Sequence, residues 1–197
     1  MKGSRLSAVY AVLAITAVVW LLEIVDFLGG GWLDGYGIVP RHLGSLSHIF
    51  SAPFLHFGFD HLISNTLPLV VLGLLVAMSG LGRFLGATAI IILTGGLGVW
   101  LFSGDHTLVA GSSILVFGYF GFLVVRGFVE RRTLDIVAMI CVVIFYGTLI
   151  LGVLPVDPRI SWIGHLFGLI GGVIAALKLP RRTERPTPAP DPYNPSW

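Results

Sequence analysis

Six long apolar runs alternate with short polar or glycine-rich breaks along the chain: Leu6–Leu28, His61–Ser79, Phe84–Phe102, Ser112–Phe128, Leu134–Leu154 and Ile160–Leu179. A helix rises about 1.5 Å per residue, so runs of this length match a bilayer core of roughly 30 Å. Backbone polar groups in lipid must be satisfied within their own segment, which makes each run a helix. The pattern predicts an all-α polytopic membrane protein, with one six-helix domain over residues 1–179. The remainder, 180–197, is polar and Pro-rich and is expected to be a disordered tail. The first run is too long for a signal-peptide core of about 7–15 residues and is read as a retained span. Between the first two runs, Gly29–Asp60 exceeds an ordinary connection and carries Trp32, Tyr36, Phe50 and Phe54. It is expected to lie at the membrane interface, partly dipping into the headgroups.

Composition sharpens this picture. Hydrophobic residues make up 55% of the chain and charged residues only 11%, against about a quarter charged in soluble domains. A formal net charge of +2 is too small to imply a nucleic-acid partner. The lipid bilayer is the partner that the composition does imply. Cys141, the single cysteine, lies in an apolar run and is expected to be a buried small hydrophobe. With six spans both termini fall on one side, and of the 12 Lys and Arg residues only Arg41 and Arg159 fall on the other. The positive-inside rule then makes both termini cytoplasmic, in an integral protein expected in the cell membrane.

Polar groups inside the spans are few and sit at matching depths. Spans two, four and six carry them near their outer ends: His61 and Asn65, Ser112 and Ser113, and His165. Ser113 precedes Arg126 by 13 residues and His165 precedes Lys178 by 13, which puts both about 20 Å above the inner boundary. A histidine at that depth is costly and tends to face the bundle interior with a task, although an interhelical hydrogen bond is the plainer alternative. As a general base it would activate a serine hydroxyl, a weak nucleophile by itself. His61 and Asn65, four apart, share a helix face. Both can donate to a developing oxyanion, or they serve as interhelical glue. His56 precedes the second span, where a structural hydrogen bond is its expected role. His42, His48 and His106 fall in outer loops and are expected to be solvated. No H-E-x-x-H pattern or facing carboxylate supports a metal, and no cofactor is expected. Glycines cluster where helices need to approach: Gly111, Gly118 and Gly121 in span four, and Gly164, Gly168 and Gly172 in span six.

These residues resemble the rhomboid intramembrane serine proteases. The family's G-x-S-x-x-x-x-G pattern stands here as Gly111, Ser113 and Gly118, its H-x-x-x-x-H-x-x-x-N pattern as His56, His61 and Asn65, and its H-x-x-G-x-x-x-G pattern as His165, Gly168 and Gly172. The resemblance implies a rhomboid-like bundle with Ser113 as nucleophile and His165 as base. It also implies that His61, Asn65 and the Ser113 backbone N–H bind the oxyanion, that His56 is structural, and that Phe117 packs on the catalytic histidine. No carboxylate of the third or sixth span is at hand to orient His165, so the catalytic unit implied is a dyad. A lateral gate between spans two and five is implied as well. The substrates implied are single-pass membrane proteins, cut in or beside the transmembrane segment. Two features depart from the pattern: Ile114 replaces the usual glycine after the serine, and Ser47-His48 replaces a Trp-Arg pair in the first outer loop.

Two other functions fit parts of the pattern. A non-catalytic binder of membrane helices would share the architecture, and Ile114 is the feature that favours it. A transporter using His165 as a proton relay would need further ionisable groups at mid-span, where Glu23, close to an outer end, is the candidate.

Overall fold

A computed structural model describes residues 2–105, 107–157 and 160–179. The expected tail at 180–197, together with His106 and Arg159, lies outside the described residues. The described chain forms six α-helices: α1 (Lys2–Gly29), α2 (Phe59–Ala77), α3 (Leu81–Phe102), α4 (Ser113–Glu130), α5 (Thr133–Tyr146) and α6 (Trp162–Lys178). Five segments are long and apolar enough to cross a membrane, and α6 is a shorter apolar helix of 17 residues. The result is a helical membrane bundle.

α4 is the central helix, with α2, α3, α5 and α6 around it. Its buried residues run from Ile114 to Leu123 without a break, as expected for a helix that is apolar on every side and enclosed by others. Glycine sets its distance from α6. A Cβ on Gly168 would stand 2.5 Å from the Ile114 carbonyl oxygen, and one on Gly172 would overlap the Gly118 carbonyl outright. The two backbones therefore touch, and one methyl group would separate them. α3 joins by the same means, since a Cβ on Gly171 would lie 2.9 Å from the Ile91 Cα. A buried hydrogen bond of 2.8 Å between the Tyr119 and Thr88 hydroxyls also ties α4 to α3.

Charged groups gather at the end of the bundle where α4 ends. Arg126 donates from Nε to Asp135 at 2.8 Å and from Nη1 to the Ser79 hydroxyl at 2.7 Å, joining α4 to α5 and to the end of α2. Arg83 pairs with Glu130, and its guanidinium lies 5.1 Å from the Phe122 ring centroid. Arg126 is thus buried in the bundle rather than standing at a boundary with solvent.

Three expectations need correction. The fifth span is not one α-helix: after Tyr146 it tightens into a 3₁₀ segment, Gly147–Val153. Glycine at the junction, the least helix-favouring residue after proline, suits this break. Cys141 is exposed rather than buried. α5 buries only Asp135 and Val142, so most of its apolar side chains face outward, where lipid and not protein is their solvent. The long connection between α1 and α2 has regular structure of its own. It folds as three 3₁₀ segments, Leu33–Tyr36, Leu43–Ile49 and Ala52–Phe54. His48 is not simply solvated: its Nδ1 donates to the Gly37 carbonyl at 2.9 Å, and its ring lies 5.5 Å from Tyr36. Arg41, donating to Ser103 O at 2.8 Å, and an Ile38–Val109 bridge brace this connection against the segment after α3.

Glycine at the α4–α6 contact should be irreplaceable, whereas glycine in open space should not. Gly172→Val is expected to cost about 1–3 kcal/mol or more through overpacking. Gly82→Ala, with nothing within 4 Å of the added Cβ, is expected to be neutral or to gain roughly 0.5 kcal/mol. Unfolding of the two variants in mixed detergent checks the difference.

Candidate active site

The sequence places two serines at the start of α4, and their surroundings separate them. Ser112 is the N-cap residue and is fully buried. Its hydroxyl lies 3.1 Å from His56 Nε2, and its backbone N–H donates to the same nitrogen at 3.2 Å. Ser113 is half-buried and lines a cavity of about 820 Å³. As the first helical residue its N–H has no carbonyl one turn back to bond, so a free donor lies beside the hydroxyl.

The cavity collects residues from four parts of the chain. His61 and Asn65 come from α2, Ser113 and Phe117 from α4, Gly152 from the 3₁₀ segment after α5, and His165 from α6. Gly111 brings the first two groups together. Its φ of +134° suits a residue without a Cβ, and a Cβ there would meet His61 Cε1 at 2.7 Å. Asn65 donates one amide hydrogen to the His61 carbonyl at 3.1 Å, which holds it against its own helix and leaves a second N–H. His56 and His61 stand edge to face with centroids 5.0 Å apart.

His165 is held on two sides. Phe117 stacks on its ring at 3.9 Å between centroids with an interplanar angle of 9°. Its Nδ1 lies 2.8 Å from the Gly152 carbonyl oxygen. A carbonyl only accepts, so Nδ1 carries the proton and Nε2 is left as the acceptor. Among the described residues no hydrogen bond links Ser113 Oγ to His165. Catalytic contacts of this kind are often long in the absence of substrate.

The remaining motif glycines have packing roles. Gly118 and Gly172 form the α4–α6 contact, and Gly168 receives the Ile114 carbonyl. The Gly152 carbonyl had no signal in the sequence, because every residue carries a backbone acceptor and spacing does not show which one meets an imidazole. The Ser161 cap of α6, whose hydroxyl accepts from the Gly164 N–H at 3.3 Å, was legible as a serine before an apolar run.

The model of the Rhomboid domain matches residues 43–182. The chain belongs to the rhomboid family. Among similar proteins is the uncharacterized protein Rv1337 of Mycobacterium tuberculosis, 42% identical over 187 residues, or 88% of this chain and 77% of the relative. An uncharacterized protein of Mycobacterium leprae, ML1171, is 42% identical over 188 residues, 88% of this chain and 73% of the relative. The rhomboid protease GluP of Bacillus subtilis is 34% identical over 132 residues, 64% of this chain and 24% of its own length. Within this rhomboid Ile114 does not line the cavity. Its side chain points between α3 and α6, toward Gly95 and Gly164, where the missing side chains leave room for it.

The buried imidazole of His56 has a consequence for stability. Burial, reinforced by the neighbouring His61, pushes His56 from 6.5 down to about 3. The folded protein therefore keeps it neutral at pH values where the unfolded chain protonates it. Its contribution is present above about pH 6.5 and is lost as pH falls toward about 3. The acid-induced drop in unfolding midpoint over that interval should be smaller in His56→Gln than in the unsubstituted protein. Equal slopes would show that His56 is not a source of the acid sensitivity.

Proposed function

We propose that this rhomboid is an intramembrane serine endopeptidase working through a Ser113–His165 dyad. The observation that carries the reading is a single cavity lined by Ser113, His165, His61 and Asn65 together. Ser113 attacks a peptide carbonyl while His165 Nε2 accepts its proton, then returns it to the leaving amine. The Ser113 N–H, His61 and the second amide hydrogen of Asn65 face the oxyanion as it forms. Ser112 is the weaker candidate, since His56 already engages its hydroxyl away from the cavity.

The substrates are single-pass membrane proteins that enter from lipid, between α2 and α5. A transmembrane helix hides its carbonyls in hydrogen bonds, so Gly, Ser or Pro near the cut would expose one. With both termini cytoplasmic by the positive-inside rule, the cavity opens toward the extracytoplasmic side of the cell membrane. The non-catalytic binder loses its main support, because Ile114 packs away from the cavity.

Reconstituted protein should cleave a reporter membrane helix, and Ser113→Ala and His165→Ala should each abolish cleavage. Asn65→Ala should slow turnover by about 10²–10³-fold or less. A fluorophosphonate should label the protein and fail to label Ser113→Ala. Full cleavage by Ser113→Ala overturns the proposal.

A further inference from the structure

The outer turn of the fifth span stands out once the cavity is described. α5 is bound to the bundle mainly through its other end, by Asp135 to Arg126 and by Met139, which lies 2.6 Å from where a Cβ on Gly127 would stand. Beyond Val142 every residue through Leu154 is at least partly exposed. Tyr146, Leu149 and Val153 still touch the core from this part-exposed segment, and it carries the Gly152 carbonyl that accepts from His165 Nδ1 at 2.8 Å.

The fit at this point is close. A Cβ on Gly152 would meet Phe117 Cζ at 2.7 Å and His165 Nδ1 at 3.1 Å. Only a residue without a side chain lets the carbonyl reach the ring edge while Phe117 covers its face. Among the described cavity-lining residues Asp157 is the one carboxylate, and the Gly152 carbonyl is in direct contact with the imidazole.

We propose that Gly152 is a positioning residue: its carbonyl fixes the protonated nitrogen and the plane of His165, as an acidic side chain does in a three-residue serine site. The proposal rests on the protease reading for its catalytic meaning, but the tautomer it specifies exists with or without cleavage. The placement on α5 adds a coupling. When the 3₁₀ turn moves away, the helix remains attached through Asp135 while His165 loses its acceptor. Closure of α5 over the cavity and setting of the base are then one event.

The test uses the full chain in lipid nanodiscs with ¹⁵N-labelled histidine at pH 8, His165 being assigned by the signal lost in His165→Gln. The unsubstituted protein and Ser113→Ala should both show a protonated Nδ1 and a bare Nε2. Replacing Val153 by its α-hydroxy analogue turns the Gly152 carbonyl into an ester carbonyl, a weaker acceptor of the same shape. That variant should populate the other tautomer and lower kcat by about three- to tenfold with KM little changed. Gly152→Ala should shift the same signals through contact with Phe117 and the ring. An Nε2-protonated His165 in the unsubstituted protein, or ester-variant signals and kcat identical to it, overturns the proposal. Signals that follow Gly152 in a protein that cleaves no reporter would support the positioning role while ending the protease reading.

Discussion

The contact on which the rest depends is the one between the α4 and α6 backbones. In lipid there is no hydrophobic force to press two apolar helices together, since the acyl chains are as apolar as leucine. Close packing has to supply the attraction, and it is short-ranged. Gly168 against the Ile114 carbonyl and Gly172 against the Gly118 carbonyl bring the helices to backbone contact one turn apart. Ser113 adjoins Ile114, and His165 lies three residues before Gly168. The same contact that holds the helices together therefore also sets the register of the two polar residues at the cavity.

What the sequence revealed followed from how strongly each feature marks it. Spans are written in long runs of one character, and their number and order could be read directly. The pairing of spans four and six showed in glycines at matching positions. The failures have a common cause, which is that apolar character does not say which partner a side chain has. Cys141 sits in a run as hydrophobic as any other, but α5 presents that face outward. Ile114 directly follows the nucleophile candidate in sequence. One residue along a helix is a rotation of about 100°, and that turn carries Ile114 out of the cavity and into the space left by Gly95 and Gly164. The break at Gly147 and the folding of the long connection depend on many weak local contacts and left only a trace in its glycines and aromatics.

Between Ser112 and Ser113 spacing alone gave no decision, since either hydroxyl lies at the right depth. Their environments differ in kind. Ser112 is enclosed with His56, whose Nε2 meets both its hydroxyl and its N–H. Engaging both groups of the cap residue fixes the turn that enters α4, and that turn aims the next residue into the cavity. His56 thus bears on Ser113 through its neighbour, without touching it.

The chemistry of the cavity also reflects the solvent around it. Among the described residues the buried charged pairs lie at the other end of the bundle, where Arg83 meets Glu130 and Arg126 meets Asp135, while the Arg41–Asp105 pair is exposed. Around the cavity, the groups that orient the polar side chains belong to the backbone: the His61 carbonyl for Asn65 and the Gly152 carbonyl for His165. An ionised carboxylate packed on the imidazole would need compensation for the water it loses. A carbonyl supplies an acceptor that is already part of the chain and carries no net charge. Its direction is fixed by the segment that bears it, so in an apolar medium orienting an imidazole becomes a matter of where a helix end sits.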